Sequence, residues 1–173
     1  AGASRLSAAY QGLNVLVLRE GAQDFFRKAK IQELDDEELA LDIHHIFPQD
    51  WCEKNGIKRA VYNTVVNKTP ISYKANRMIG GHAPSIYLSK LQAHTQVQLA
   101  DAQMNAIVGS HLIDTTALRA DDFDSFYKSR KAALVKLVER AMGKAAAVVA
   151  DGADPGDVEE DESDQQQVIS PVG

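Results

Sequence analysis

An apolar stripe near the C-terminal end constrains this chain more than any other feature. Phe123, Phe126, Tyr127, Arg130, Leu134, Leu137, Val138 and Ala141 recur at intervals of three and four. The spacing predicts a helix over 122–142, with Gly143 as its stop. So long a face must be buried, and it reads as core rather than as a cofactor box. Other segments supply helices to meet it. Leu6, Ala9, Tyr10, Leu13, Leu16 and Val17 line one face over 5–19, closed by Gly21. Pro84 opens a helix to about 92. A further helix is expected over 95–108, and Asp114 caps a short turn over 115–118.

One region breaks the helical period. Leu39-Ala40-Leu41-Asp42-Ile43-His44 reads as a strand, closed by Pro48. Residues 50–55 read as a short polar helical turn with Trp51 packed beneath it, and Asn55-Gly56 is a turn signal. The β-branched run over 60–68 suggests the return strand. Ser72 is suited to cap a helix over 73–79 that Gly80-Gly81 ends. The expectation is therefore α+β: a mainly helical domain over 1–147, with a β-hairpin–helix finger at about 39–81 inserted between scaffolds 5–38 and 84–147. Residues 24–28 resist assignment. The crowded acidic run 33–38 reads as a solvated turn or the start of a short helix, and 148–173 as an acidic, disordered tail.

Composition narrows the function classes. The single cysteine, Cys52, excludes an internal disulfide and a zinc site of several thiolates, reads as a packed or half-exposed thiol and fits a reducing cytoplasm. No apolar run reaches the roughly 20 residues of a membrane span. The net charge of −5 is uneven: eight acidic residues lie between Asp151 and Asp164, and no lysine or arginine follows Lys144. Without that tail the body carries about three excess positive charges, which permits a polyanionic partner without requiring one. The first residue is alanine and no signal peptide is visible, so the chain reads as a fragment of a longer protein or a processed form.

Two polar islands carry the chemistry. One is Asp42-Ile43-His44-His45-Ile46-Phe47-Pro48. The other runs from Asn67-Lys68-Thr69-Pro70 to Lys74-Ala75-Asn76-Arg77. Phosphodiester hydrolysis needs a base and a cation held in line with the scissile bond. Histidine suits the base, because its pKa lies near neutrality. Magnesium suits an oxygen donor such as an asparagine carbonyl, and a histidine nitrogen widens the choice to manganese, nickel or zinc. Adjacent strand residues point to opposite faces, so both histidines reach one phosphate only if the strand bends or ends there, as Pro48 permits. The bland alternative is a pair of partly buried histidines satisfied by backbone groups.

Taken together, the islands resemble the His-Me finger, or HNH, nucleases. The run from Val66 to Gly81, followed by Ala83-Pro84-Ser85-Ile86-Tyr87-Leu88, is most similar to the C-terminal nuclease domain of GmrSD-type restriction proteins, which include the SspE-like nickases of phosphorothioate-based antiphage defence. Leu118 to Phe123, Arg130 and Ala141-Met142-Gly143-Lys144 extend the resemblance, which covers most of 5–147. It implies that His45 is the general base and that Asn67 ties the loop and orients it. His44 and Asn76 would hold one divalent ion, with Asp42 as a further ligand or an orienting partner. Arg77, Lys74 and Lys68 would meet phosphates. The implied activity is a magnesium-dependent DNA endonuclease that nicks double-stranded DNA in a bacterial cytoplasm, as monomer or homo-oligomer. Target choice would fall to an N-terminal nucleotide-hydrolysing sensor domain. No GxxxxGK[ST] phosphate loop occurs in this chain. The competing readings are a non-catalytic helical DNA-docking or protein-interaction module, and a structural metal module. His82, His94 and His111 read as surface or helix-packing residues, and Cys52 carries no role.

Overall fold

The computed structural model describes residues 12–25 and 41–150, with side chains for 12–25 and 42–144. The expected helical turns before 12, the acidic run 33–38 and the tail beyond 150 lie outside the described residues. Packing divides the chain into Ala1–Glu139 and Arg140–Gly173. The core and the candidate site belong to the first unit, and the described part of the second continues the last helix to Ala150.

The architecture is mostly helical, with one two-stranded antiparallel sheet among the described residues. Helix α1 covers 12–19 and closes at Gly21, whose φ of 93° suits glycine. Strand β1 (Leu41–His45) leads through Pro48 into α2 (Gln49–Lys54) and α3 (Arg59–Tyr62). A 3₁₀ turn, Val65–Asn67, precedes β2 (Lys68–Ser72). Then come α4 (Tyr73–Ile79), α5 (Pro84–Ala93), α6 (Asp101–Gly109), α7 (Thr115–Arg119) and α8 (Phe123–Ala150). None of the described helices is long and apolar enough to cross a membrane.

Several expectations need correction. The β-branched run over 60–68 is not the return strand: it forms α3 and the 3₁₀ turn, and β2 begins only at Lys68. Pro70 is tolerated in β2 because a two-stranded sheet has an outer edge, where a missing N–H costs no ladder bond. Ser72, two residues on, turns its N–H to that same edge and donates it to Asp24 Oδ1 at 2.9 Å. The helix expected over 95–108 begins at Asp101. Before it, Gln98 adopts a φ of 44°, while the Gln92 and Gln103 side chains take up the Leu99 carbonyl and the Ala100 N–H. Gly143 does not stop α8, which runs on through an alanine-rich stretch of high helix propensity.

Phe47 sits at the centre of the core. It packs against Trp51, Phe123 and Phe126 with ring centroids 4.9, 5.2 and 4.9 Å away. The stripe of α8 therefore grips the chain two residues after the histidine doublet. Tyr87 of α5 donates its hydroxyl to the Ile46 carbonyl at 2.8 Å, fixing the same point from the other side. Cys52 is fully buried, and burial pushes its thiol up to about 12, so it is inert packing as expected.

A buried cation organises the return of the chain into β2. Arg130, 1% exposed, donates from Nη1 to the carbonyls of Val65 (3.1 Å), Val66 (2.6 Å) and Lys68 (2.9 Å), and from Nε to that of His111 (3.2 Å). Burial presses its pKa down to about 9, which leaves it charged at neutral pH. His111 is equally buried. Its Nε2 meets the Gln23 carbonyl at 2.6 Å, and its Nδ1 meets Thr69 Oγ1 at 2.6 Å. A carbonyl only accepts, so Nε2 carries the proton and Thr69 donates to Nδ1. His111 thereby ties the α1 loop to β2.

Two predictions follow from these groups. Arg130→Met keeps the length and removes every donor; we expect a loss of about 3 kcal/mol in urea unfolding, because buried carbonyls are left unpaired. Arg130→Lys should recover only part, having one nitrogen in place of a fork. Burial holds His111 down to about 4, against 6.5 in the unfolded chain. Between those values the unfolded chain binds the extra proton, so stability falls as pH drops from 6.5 towards 4 and is flat above. The full effect is about 3 kcal/mol. His111→Gln should flatten that slope in part, since His44 and His45 are shifted the same way.

Candidate active site

Strand alternation sends the two histidines into different surroundings. The register pairs His44 with Thr69 and His45 with Lys68, at the last rung of the hairpin. His44 is half-buried and shares a strand face with Asp42. Its Nε2 is fully buried and has no hydrogen-bond partner. Burial lowers its pKa, with the Asp42 charge opposing. The Asp42 carboxylate is exposed and accepts the Ile43 N–H at 2.8 Å.

His45 turns towards α3. Its Nε2 lies 3.1 Å from Asn63 Oδ1, and its ring stands edge-on to Tyr62 with centroids 5.9 Å apart. Burial lowers its pKa first of all; the hydrogen bond to Asn63 opposes this, and Lys68 and His44 reinforce it. The imidazole is therefore neutral at neutral pH, the state a proton acceptor needs.

Asn67 is fully buried and acts on the main chain rather than on the His45 ring. Its Oδ1 accepts the Phe47 N–H at 2.8 Å. Its Nδ2 donates to the carbonyls of Phe47 and Tyr62, both at 3.0 Å. Its own carbonyl accepts the Ile46 N–H at 2.8 Å. One carboxamide thus fixes the chain immediately after His45 and the end of α3 together. These Asn67 bonds all go to the main chain, and the hydrogen-bond partner of the His45 ring is Asn63, which the sequence reading missed. The signal was faint: Asn63 follows the last residue of a four-residue helix and looks like any C-cap asparagine.

Helix α4 begins where Ser72 accepts the Ala75 N–H on its hydroxyl, and Asp24 clamps Ser72 through two bonds of 2.8 and 2.9 Å. The helix starts at the Leu41–Ser72 end of the sheet and packs on both strands. Its far end closes on the start of α2: a Cβ on Gly81 would sit 2.8 Å from Asp50 Oδ2. The helix therefore returns along the hairpin towards the histidine end. Ala75 and Ile79 form its buried face, and Asn76 stands half-buried at the margin of that face. Asn76 and His44 share no hydrogen bond. On the outer face, the Arg77 guanidinium lies 5.6 Å over the exposed Tyr73 ring, and Lys74 reaches Gln96 Oε1 at 2.7 Å. Lys68 stays beside His45.

No group of three His, Cys, Asp or Glu side chains is gathered around a metal position among the described residues. The expected donors are instead an imidazole, a carboxamide and a carboxylate. The orphaned Nε2 of His44 fits such a set, because a buried ring nitrogen without a partner costs free energy that coordination would offset.

No protein-family model matches the sequence, and no solved structure matches it. The chain is 31% identical over 85 residues to the "Uncharacterized protein MJ0686" of Methanocaldococcus jannaschii. That similarity covers 49% of this chain but only 14% of the archaeal protein, which is far longer.

Replacing Asn67 tests the corner that frames His45. Asn67→Ala leaves the Phe47 N–H and the Tyr62 carbonyl without these bonds in dry surroundings, and the Phe47 carbonyl with only the weak Cys52 thiol donor. We expect a loss of about 3 kcal/mol in denaturant unfolding and faster amide exchange at Phe47.

Proposed function

We propose that this chain is a metal-dependent DNA-nicking domain of the His-Me finger type, in which β1, β2 and α4 form the finger. The observation that carries the reading is the split of the His44–His45 doublet at the end of β1. One imidazole keeps a buried, unpartnered nitrogen, and its neighbour is held neutral against an asparagine. A structural pair satisfied by backbone groups would not leave the buried His44 nitrogen without a partner. The resemblance to GmrSD-type nuclease domains supports the same reading.

His44 and Asn76, with Asp42 as a further donor, would hold one divalent ion, magnesium or manganese by donor type. Bound there, the ion supplies positive charge close to the phosphorane and the departing 3′ oxygen. The chain's own residues do the rest. Neutral His45 takes a proton from water as the oxygen attacks phosphorus, the P–O3′ bond breaks, and solvent protonates the leaving oxygen. Asn67 keeps the end of β1 from moving during that transfer. Lys68, Lys74 and Arg77 offer charge to backbone phosphates, which positions DNA without reading its sequence. One base and one ion make one cut, so nicking is the natural product and two strand cuts need two protomers or two events. Target selection then belongs to a nucleotide-hydrolysing sensor domain elsewhere in a cytoplasmic restriction protein.

The test is nicking of supercoiled plasmid with magnesium, manganese, nickel or zinc. His45→Ala should abolish nicking while leaving the thermal melt within a few degrees of wild type, and chelator should silence the wild-type protein without unfolding it. Undiminished nicking by His45→Ala would reject the assignment. Loss of the fold on chelation would point to a structural ion.

A further inference from the structure

The corner that holds His45 contains more than a base needs for binding. Asn63 occupies the C-cap of α3, where its N–H is bonded to the Arg59 carbonyl at 3.0 Å. The carbonyl of the preceding residue, Tyr62, is gripped by Asn67 at 3.0 Å. The hydroxyl of the following one, Thr64, reaches back to the Val61 carbonyl at 2.9 Å and meets the Tyr127 hydroxyl of α8 at 3.1 Å. The Tyr62 ring that borders His45 is itself held, its hydroxyl donating to Glu53 Oε1 at 2.9 Å while Gln49 Nε2 donates to the same oxygen at 2.9 Å. Asn63 is thus exposed at its side chain but locked at its backbone.

That rigidity places a carboxamide oxygen against one ring nitrogen of His45. An amide oxygen only accepts, so the bond at 3.1 Å requires the imidazole proton on Nε2. The other ring nitrogen then carries the lone pair. In neutral histidine the two tautomers differ in which atom can take a proton, and an unconstrained ring samples both. The other near neighbours of the ring do not choose between them: Tyr62 packs against it as an edge-type ring contact with centroids 5.9 Å apart, and Lys68 and His44 act through space.

We propose that Asn63 is the positioning residue that fixes the His45 tautomer, keeping the proton on Nε2 so that Nδ1 receives the proton of the attacking water. This rests on the reading of His45 as the base. Water gives one proton to Nδ1, its oxygen bonds to phosphorus as the P–O3′ bond breaks, and the 3′ oxygen is protonated by solvent. Asn63 itself exchanges no proton, and it acts by orientation alone.

The experiment is two-bond ¹H–¹⁵N correlation of the histidine rings in the full chain at pH 8, paired with single-turnover nicking of plasmid. In the wild type, His45 should show a protonated Nε2 and an unprotonated Nδ1. Asn63→Leu, close in shape and without an acceptor, should give a mixture of tautomers. It should also slow the nicking step about 10- to 100-fold at unchanged DNA affinity, as loss of an orienting partner typically does. Asn63→Asp keeps an acceptor and should retain the Nε2-protonated form and most of the rate. A wild-type ring protonated on Nδ1, or an Asn63→Leu protein with unaltered tautomer and rate, would overturn the proposal. If the wild-type protein cuts no DNA with any ion, the nuclease reading fails, while the ring spectra of the three proteins still decide whether Asn63 sets the tautomer.

Discussion

A guanidinium buried among main-chain carbonyls holds this structure in its working shape. Arg130 collects four of them, three from the segment that enters β2. The segment before Lys68 turns where Arg130 gathers the Val65 and Val66 carbonyls, and the paired register begins at Lys68. Burying such a cation is costly without several well-placed acceptors. The stripe of α8 provides the depth, and the 3₁₀ turn provides the acceptors.

Everything near the histidine doublet inherits that arrangement. Asn67 is the last residue of the turn Arg130 holds, and from there it binds both the chain after His45 and the end of α3. Phe47 anchors the same point in the aromatic core. Asp24 and His111 fasten β2 through Ser72 and Thr69. The candidate site is thus a strand end framed by long-range polar bonds. A base set in such a frame loses little entropy on reaching its working geometry.

Much of the helical body was legible. Ser72 as N-cap, Gly80 as C-cap, Pro84 at a helix start and Asp114 as a cap all act as short-range chemistry dictates. Phe123, Phe126, Arg130, Leu134 and Leu137 of the α8 stripe are buried as their spacing implies, while Tyr127 is partly buried and Val138 remains 37% exposed. The errors share one cause. Val61, Thr64, Val65 and Val66 favour a strand by local propensity, yet Arg130 and Asn67, distant in sequence or facing another element, claim the carbonyls around them. Likewise Gln98 leaves the helical region where glutamine side chains capture the backbone. In the site, the doublet and its neighbouring asparagines stood out by spacing. Asn63 did not, because its contact with His45 exists only after α3 has folded against the strand end.

The amino-acid sequence alone determined a mainly helical body, the caps that bound its helices, and the residue types able to hold an ion and move a proton. These follow from side-chain periodicity and from bonds spanning only a few residues. Tertiary structure decided which segment returns as β2, which asparagine faces the His45 ring, and which histidine nitrogen is left buried without a partner. Those outcomes depend on where buried donors and acceptors from remote segments meet, and an unsatisfied polar group in a dry core costs more than any local propensity supplies.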